Sequence, residues 1–184
     1  IDTYKPAVMR AALEAGVALI NDINALRAPG ALEAVAGSDC AVCLMHMQGE
    51  PGTMQLAPHY GDVVKEVHDF LAQQVALCRQ AGIADARIVL DPGFGFGKHL
   101  EHNIALFRQL TATTSDGLPL LAGVSRKAML GAITGRPVDQ RLAASVAAAL
   151  LAVRNGAKIV RVHDVAATKD ALAVLAALDT GGQE

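Results

Sequence analysis

Asp91 opens the run Asp91-Pro92-Gly93-Phe94-Gly95-Phe96-Gly97-Lys98. Three alternating glycines permit positive φ and close approach of the backbone to a ligand, and two phenylalanines offer flat apolar faces. A carboxylate beside such a surface suits a planar heterocycle with an amidine-like donor edge, joined by two parallel hydrogen bonds. Asp2 and Asn21 would add further acceptors and a donor. The plainer reading is an aspartate that caps its own turn. The run is not a phosphate-binding P-loop, since His99 follows Lys98 and Pro92 stands where the first glycine belongs.

Arg161 and His163 stand two apart on the final apolar run, so both project to one side. Arg offers a bidentate fork to a phosphate, and His a donor that titrates near neutrality. Their plainer reading is a salt-bridged strand end with Asp164 as partner. Ser125-Arg126-Lys127 ends the preceding run and begins a helix. A hydroxyl, a guanidinium and an ammonium there meet free backbone N–H groups, which suits an anion or a carbonyl. A merely solvated helix start fits less well, because two cations oppose the positive end of a helix dipole.

Other residues read as ordinary. Cys40 and Cys43 have a redox or zinc spacing, but three apart on an extended strand they face opposite sides. Cys78 falls in a helical stretch, as a core residue. His59, His68, His99 and His102 lack metal-ligand spacing. Met45 and Met47 read as core, with Met45 able to line the floor of a site, and His46 ends a strand with no partner named by its spacing.

The elements that must hold these groups alternate, strand then helix. Strands are expected over 17–23, 41–47, 87–90, 118–124 and 158–162, each short and rich in Val, Ile and Leu, as for parallel strands covered on both faces. Helices are expected over 6–15, 62–81, 139–155 and 168–178. Pro6 suits a first helical turn, and Gly16, Gly82 and Gly156 suit helix ends. On the helix over 62–81 the inner side is expected to be Val63, Val67, Phe70, Leu71, Val75 and Leu77. A polar tail, 181–184, closes the sequence. With Ile1-Asp2 as the stub of a strand, this order gives five βα units, open to a doubly wound sheet or a (β/α)₈ barrel. The barrel is favoured because polar residues end every strand: Asp2, Asn21-Asp22, His46, Asp91, Ser125 to Lys127, Arg161 and His163. A barrel brings such ends to one mouth.

The 184 residues fit one domain spanning 1–184, without a low-complexity linker. Hydrophobic residues at 52% exclude a disordered chain. A net charge of −2 without a basic run excludes the electrostatic footprint of a nucleic-acid binder. The longest apolar stretch is too short to span a membrane. Three cysteines make no disulfide framework, which points to a reducing cytoplasm. Aromatics at 3% imply an aliphatic core and closely packed helices.

Taken together, Ile1-Asp2-Thr3-Tyr4-Lys5-Pro6, Ile20-Asn21-Asp22-Ile23, Cys43 to Gly49, Leu90 to Lys98, Gly123 to Lys127 and Arg161-Val162-His163-Asp164 resemble the bacterial dihydropteroate synthase family along the whole chain. The resemblance implies a pterin-binding (β/α)₈ barrel of folate synthesis. Such enzymes join p-aminobenzoate to 6-hydroxymethyl-7,8-dihydropterin diphosphate, giving 7,8-dihydropteroate and pyrophosphate, with Mg²⁺ required. It implies that Asp2, Asn21 and Asp91 bind pterin and that Met45 packs on it. Lys127 contacts the pterin and faces the p-aminobenzoate side, which Phe96 and Ser125 line, with Arg126 beside them. Arg161 and His163 hold the diphosphate. Lys127, Asp91, Arg161 and His163 are the implied catalytic set. A homodimer through the last helices is implied as well.

The family also has strands up to the position of Asp2, whose loops carry an Asn for Mg²⁺ and a Ser/Thr-Arg-Pro segment over p-aminobenzoate. The sequence therefore reads as a C-terminal part of an incomplete barrel, with no metal ligand of its own and no activity expected from it alone. Two rival readings are a methyltetrahydrofolate:corrinoid methyltransferase, which needs no diphosphate grip, and a non-catalytic remnant.

Overall fold

The computed structural model describes residues 1–114 and 116–179; the polar tail expected at 181–184 lies outside them. Among the described residues five strands are found: β1 (Leu19–Asp22), β2 (Ala41–Met45), β3 (Ile88–Asp91), β4 (Leu121–Ala122) and β5 (Ile159–Val160). They alternate with seven α-helices among the described residues: α1 (Pro6–Glu14), α2 (Ala31–Ala36), α3 (Val63–Gln80), α4 (Leu100–Arg108), α5 (Ala128–Thr134), α6 (Leu142–Arg154) and α7 (Val165–Asp179). Of these, α2 and α4 are not foreseen from periodicity. Both are short, and α2 has no side-chain cap to announce it. β4 and β5 are shorter than expected, while hydrogen bonds from Lys158 and Ile159 to Leu120 O and from Arg161 to Ala122 O extend their contact.

Strand order decides the architecture. β1 pairs with β2, β2 with β3, and β4 with β5, all parallel. Single parallel bridges, Asp2 to Asn21 and Leu90 to Leu120, link the pieces. Neighbours therefore follow chain order from Asp2 to β5, without the reversal that defines a doubly wound sheet. The chain forms part of a parallel (β/α) barrel.

Alternation along the strands separates two apolar clusters. Val42, Leu44, Ile88 and Leu90 face the helices and join the main core. Cys43, Val89 and Leu121 form a small cluster with Leu19, on the opposite side of the strands. Cys40 belongs to the first cluster and Cys43 to the second, so their chelating spacing comes to nothing.

The longest helix shows how local sequence fixes the frame. Asp62 accepts from the N–H groups of Val64 (3.0 Å) and Lys65 (3.1 Å), and Glu66 accepts back from Gly61 and Asp62. That reciprocal cap starts α3. Its buried face comprises Val63, Val64, Val67, Leu71, Gln74, Val75 and Cys78. Leu77, expected inside, is 41% exposed, because Cys78 occupies the inward position one residue later. No described helix is long and apolar enough to cross a membrane.

Candidate active site

The strand ends converge as the barrel reading requires. Asp91 ends β3 and is buried, 2% exposed. Its Oδ1 accepts from the Gly93 N–H at 2.8 Å, so it does cap its own turn, while Oδ2 lies 3.7 Å from Arg161 Nη2. Burial pushes its pKa up, and Lys127, the Gly93 N–H, Arg161 and Lys98 pull it back down. Arg161 Nη1 also lies 3.6 Å from Asp2 Oδ2. Gly123 leaves room for this reach: a Cβ there would stand 3.2 Å from the Arg161 guanidinium, which would have to give by a few tenths of an ångström.

Asn21, on β1, donates from Nδ2 to Asp2 Oδ2 at 2.9 Å. Among the described residues its Oδ1 is the one buried side-chain oxygen or nitrogen without a hydrogen-bond partner. A buried acceptor left open in this way costs free energy until a donor fills it. Its neighbour Asp22 is structural: it accepts from Asn24 N (2.7 Å) and Leu26 N (2.8 Å) and holds a turn in which Ala25 and Leu26 have positive φ.

Ser125, Lys127, Arg161 and His163 line one cavity of about 240 Å³ with Phe96 and Gly123. Ser125 Oγ accepts from the His163 N–H at 3.2 Å and lies 3.0 Å from His163 Nδ1. The hydroxyl proton is thereby free to go to Nδ1, which would leave the His163 Nε2–H as a donor. Lys127 donates to Phe94 O and stands 4.6 Å from the Phe96 ring centroid. Burial lowers its pKa to about 8, helped by Arg161 and opposed by Asp91.

Several expected roles change. Arg126 does not offer its fork to a ligand: Nη2 and Nε are bound to Asp164 at 2.7 and 3.2 Å. That pair also takes Asp164 away from Arg161. The Arg126 backbone has positive φ, and its N–H donates to Ser145 Oγ. Phe94 is wholly buried against Phe107, so only Phe96 presents a face. The glycines do serve close approach, but to the protein itself. A Cβ on Gly93 would sit 1.9 Å from His46 O, and one on Gly97 2.3 Å from Gln48 O. Met45 is fully buried beneath that turn.

One buried neighbour of the site escaped the sequence. Lys98 is only 3% exposed, and its Nζ meets Gly93 O (2.9 Å), Phe96 O (3.0 Å), His46 O (3.4 Å) and His46 Nδ1 (2.9 Å). Burial brings its pKa down to about 7 and that of His46 to about 3. The partner missing for His46 is thus a lysine 52 positions away.

Among the described residues no group of three His, Cys, Asp or Glu side chains could hold a metal. The carboxylates of the mouth, Asp2 and Asp91, are already faced by Arg161. These residues do not fit a protein-held Mg²⁺.

Against known proteins, residues 1–163 match the family described as pterin binding enzyme. The dihydropteroate synthase of Escherichia coli (strain K12) is 50% identical over 177 residues, 96% of this chain and 63% of that protein. The chain thus spans under two thirds of the curated relative. Dihydropteroate synthase of Burkholderia cenocepacia, solved with 7,8-dihydropteroate, is 57% identical with a TM-score of 0.93, covering 98% of this chain and 67% of that one. The Xanthomonas albilineans enzyme, solved with 4-aminobenzoic acid, is 53% identical with a TM-score of 0.90, covering 97% and 63%. Sequence and architecture agree throughout, and the chain belongs to the pterin-binding enzymes, among the dihydropteroate synthases.

Proposed function

We propose that the whole protein condenses 6-hydroxymethyl-7,8-dihydropterin diphosphate with p-aminobenzoate, giving 7,8-dihydropteroate and pyrophosphate in cytoplasmic folate synthesis. The observation that carries this reading is Arg161, whose guanidinium lies 3.7 Å from the buried Asp91 and lines the open cavity. One residue thus joins a heterocycle-binding carboxylate to an anion-binding hollow, which a pterin barrel without a diphosphate substrate would not need. The ligands of the two solved relatives correspond to the product and to the amine of this reaction.

In this reading Asp91 and the open Asn21 Oδ1 accept from the donor edge of the pterin, with Asp2 at the rim and Met45 supporting the floor. Arg161 and His163 bind the diphosphate. The bond from the pterin methylene to the diphosphate oxygen breaks, and its electron pair leaves with the diphosphate. Arg161 and His163 stabilise that leaving charge, and the nearby carboxylates stabilise the positive pterin. The lone pair of the amine forms the new C–N bond, and its proton passes to the departing pyrophosphate or to water. Lys127, Phe96 and Ser125 hold p-aminobenzoate on the other side. Mg²⁺ would enter on the diphosphate; no residue of this chain is assigned to it.

We assign a homodimer through α6 and α7, whose exposed Leu142, Leu151, Val165, Val174 and Leu178 need covering. Light scattering of the whole protein should give twice the monomer mass. The activity is tested by pyrophosphate release, which should require both substrates. Release independent of p-aminobenzoate would overturn the assignment.

A further inference from the structure

We infer that Lys98 is a positioning residue: its side-chain nitrogen pins the 93–97 loop to the end of β2 and so sets where Lys127 stands on the p-aminobenzoate side of the mouth. The inference rests on the function proposed above.

A buried ammonium is tolerated only when its N–H groups are all accepted. Protonated, Lys98 has three donors for its three shortest contacts, at 2.9, 2.9 and 3.0 Å; neutral, it donates to the two carbonyls and its lone pair accepts from a His46 Nδ1–H. In both forms the contacts come from two separate segments. His46 belongs to the end of β2, whereas Gly93 and Phe96 belong to the loop after β3. Lys98 therefore ties two strand ends together.

What it ties also holds Lys127. The two contacts of Lys127 with this loop are Phe94 O and the Phe96 ring, and its Cδ would stand 3.4 Å from a Cβ on Gly95. All three lie between Gly93 and Phe96, the two residues whose carbonyls Lys98 holds. The same loop and Lys127 line a second cavity, of about 400 Å³, against Met129 of α5. Without Lys98 the Phe96 carbonyl and the ring nitrogen of His46 lose this partner, and the Gly93 carbonyl keeps the Phe96 N–H at 3.1 Å within the loop but nothing that ties it to the end of β2. The loop would then shift to find water, and the seat of Lys127 would shift with it.

The test uses Lys98→Met, His46→Gln and His46→Leu in the whole protein. Lys98→Met should raise KM for p-aminobenzoate about tenfold or more, while KM for the pterin diphosphate changes less than about threefold. His46→Gln, which still offers an oxygen acceptor, should stay near wild type; His46→Leu should follow Lys98→Met. A readout independent of turnover is the pH midpoint of Lys127 acetylation by acetic anhydride, followed by mass spectrometry. Freed from its buried seat, Lys127 should move from a midpoint of about 8 toward 10.5. An unchanged midpoint in folded Lys98→Met overturns the inference. If that variant does not fold, the midpoint in His46→Leu decides in the same way. A wild type that releases no pyrophosphate refutes the function instead, and the midpoint still judges Lys98.

Discussion

Arg141 lies across Gly131: a Cβ at position 131 would fall 2.2 Å from Arg141 Nη2 and 2.5 Å from its Cζ. From there Nη1 donates to Arg126 O (2.9 Å) and Lys127 O (3.3 Å), and Nε to Arg136 O (3.0 Å). The guanidinium thus straps down the turn that carries Lys127, and α5 must be bare at Gly131 to let it pass. Alanine in a helix is ordinarily better than glycine by about 1 kcal/mol. Here it displaces hydrogen bonds from a charged group, each worth about 1.5–3 kcal/mol. Gly131→Ala should therefore destabilise the wild type yet stabilise an Arg141→Met background. Urea unfolding of the four proteins checks this; the same sign in both backgrounds would refute the strap.

Asp91→Asn should spare the fold, because an amide oxygen can still accept from the Gly93 N–H. In the proposed reading the charge that would face the pterin donor edge is lost, and binding of a 6-hydroxymethylpterin probe should weaken by about 1.5–3 kcal/mol, roughly tenfold to a hundredfold. Calorimetric titration with an unchanged dissociation constant would remove Asp91 from the pterin site.

From its strand position alone Arg161 reads as standing at the phosphate end, so that its loss would leave a bare pterin analogue nearly untouched. Its position beside Asp91 adds a second effect. Arg161→Ala should weaken pyrophosphate binding about tenfold or more at every pH near neutrality. It also removes a group that lowers the raised pKa of Asp91. A pterin probe should therefore bind the variant more weakly at lower pH and recover as rising pH ionises the carboxyl. Equal, pH-independent loss of both ligands would make Arg161 a structural brace.

Lys98 titrates at about 7 in the folded chain, against 10.5 for a free lysine side chain. Between these values the unfolded chain binds a proton that the folded chain has released, so stability rises with pH across this window. Below it both forms are protonated and the cost of burying the charge is full. Relative to Lys98→Met, the wild type should gain stability between about pH 6 and about pH 9.5, measured by urea unfolding. A flat difference would mean that Lys98 keeps its proton throughout.

The strand ends were legible because their pattern is local. A short aliphatic run ending in Asp91, or in Arg161 and His163, declares both its direction and its mouth. Packing between distant segments was not legible. Phe94 and Phe96 look alike in sequence, and only the placement of Phe107 buries one and leaves the other facing Lys127. Arg126 looks as available as Lys127, but Asp164, 38 positions on, claims it. Lys98 ends the glycine run with no partner named by its spacing. Its burial depends on backbone carbonyls, which no residue type advertises. The nearest signal was Gly93 and Gly97, both at positive φ with another backbone where a Cβ would stand.

Asp2, β1, β2, β3, β4 and β5 stand side by side in the order in which a ribosome would make them. Each new strand meets a neighbour that is already formed, and its covering helix precedes the strand after it. Nothing made late has to be threaded between strands made early, so the wall can grow by accretion while synthesis continues. The advancing edge waits unpaired at each step, exposed to pairing with other chains. That wait is longest at β2, where the loop leading into α3 and the 18 residues of α3 itself must be completed before β3 arrives. The reciprocal cap of Asp62 and Glu66 therefore stands at the point where fast local helix formation matters most to nascent-chain quality.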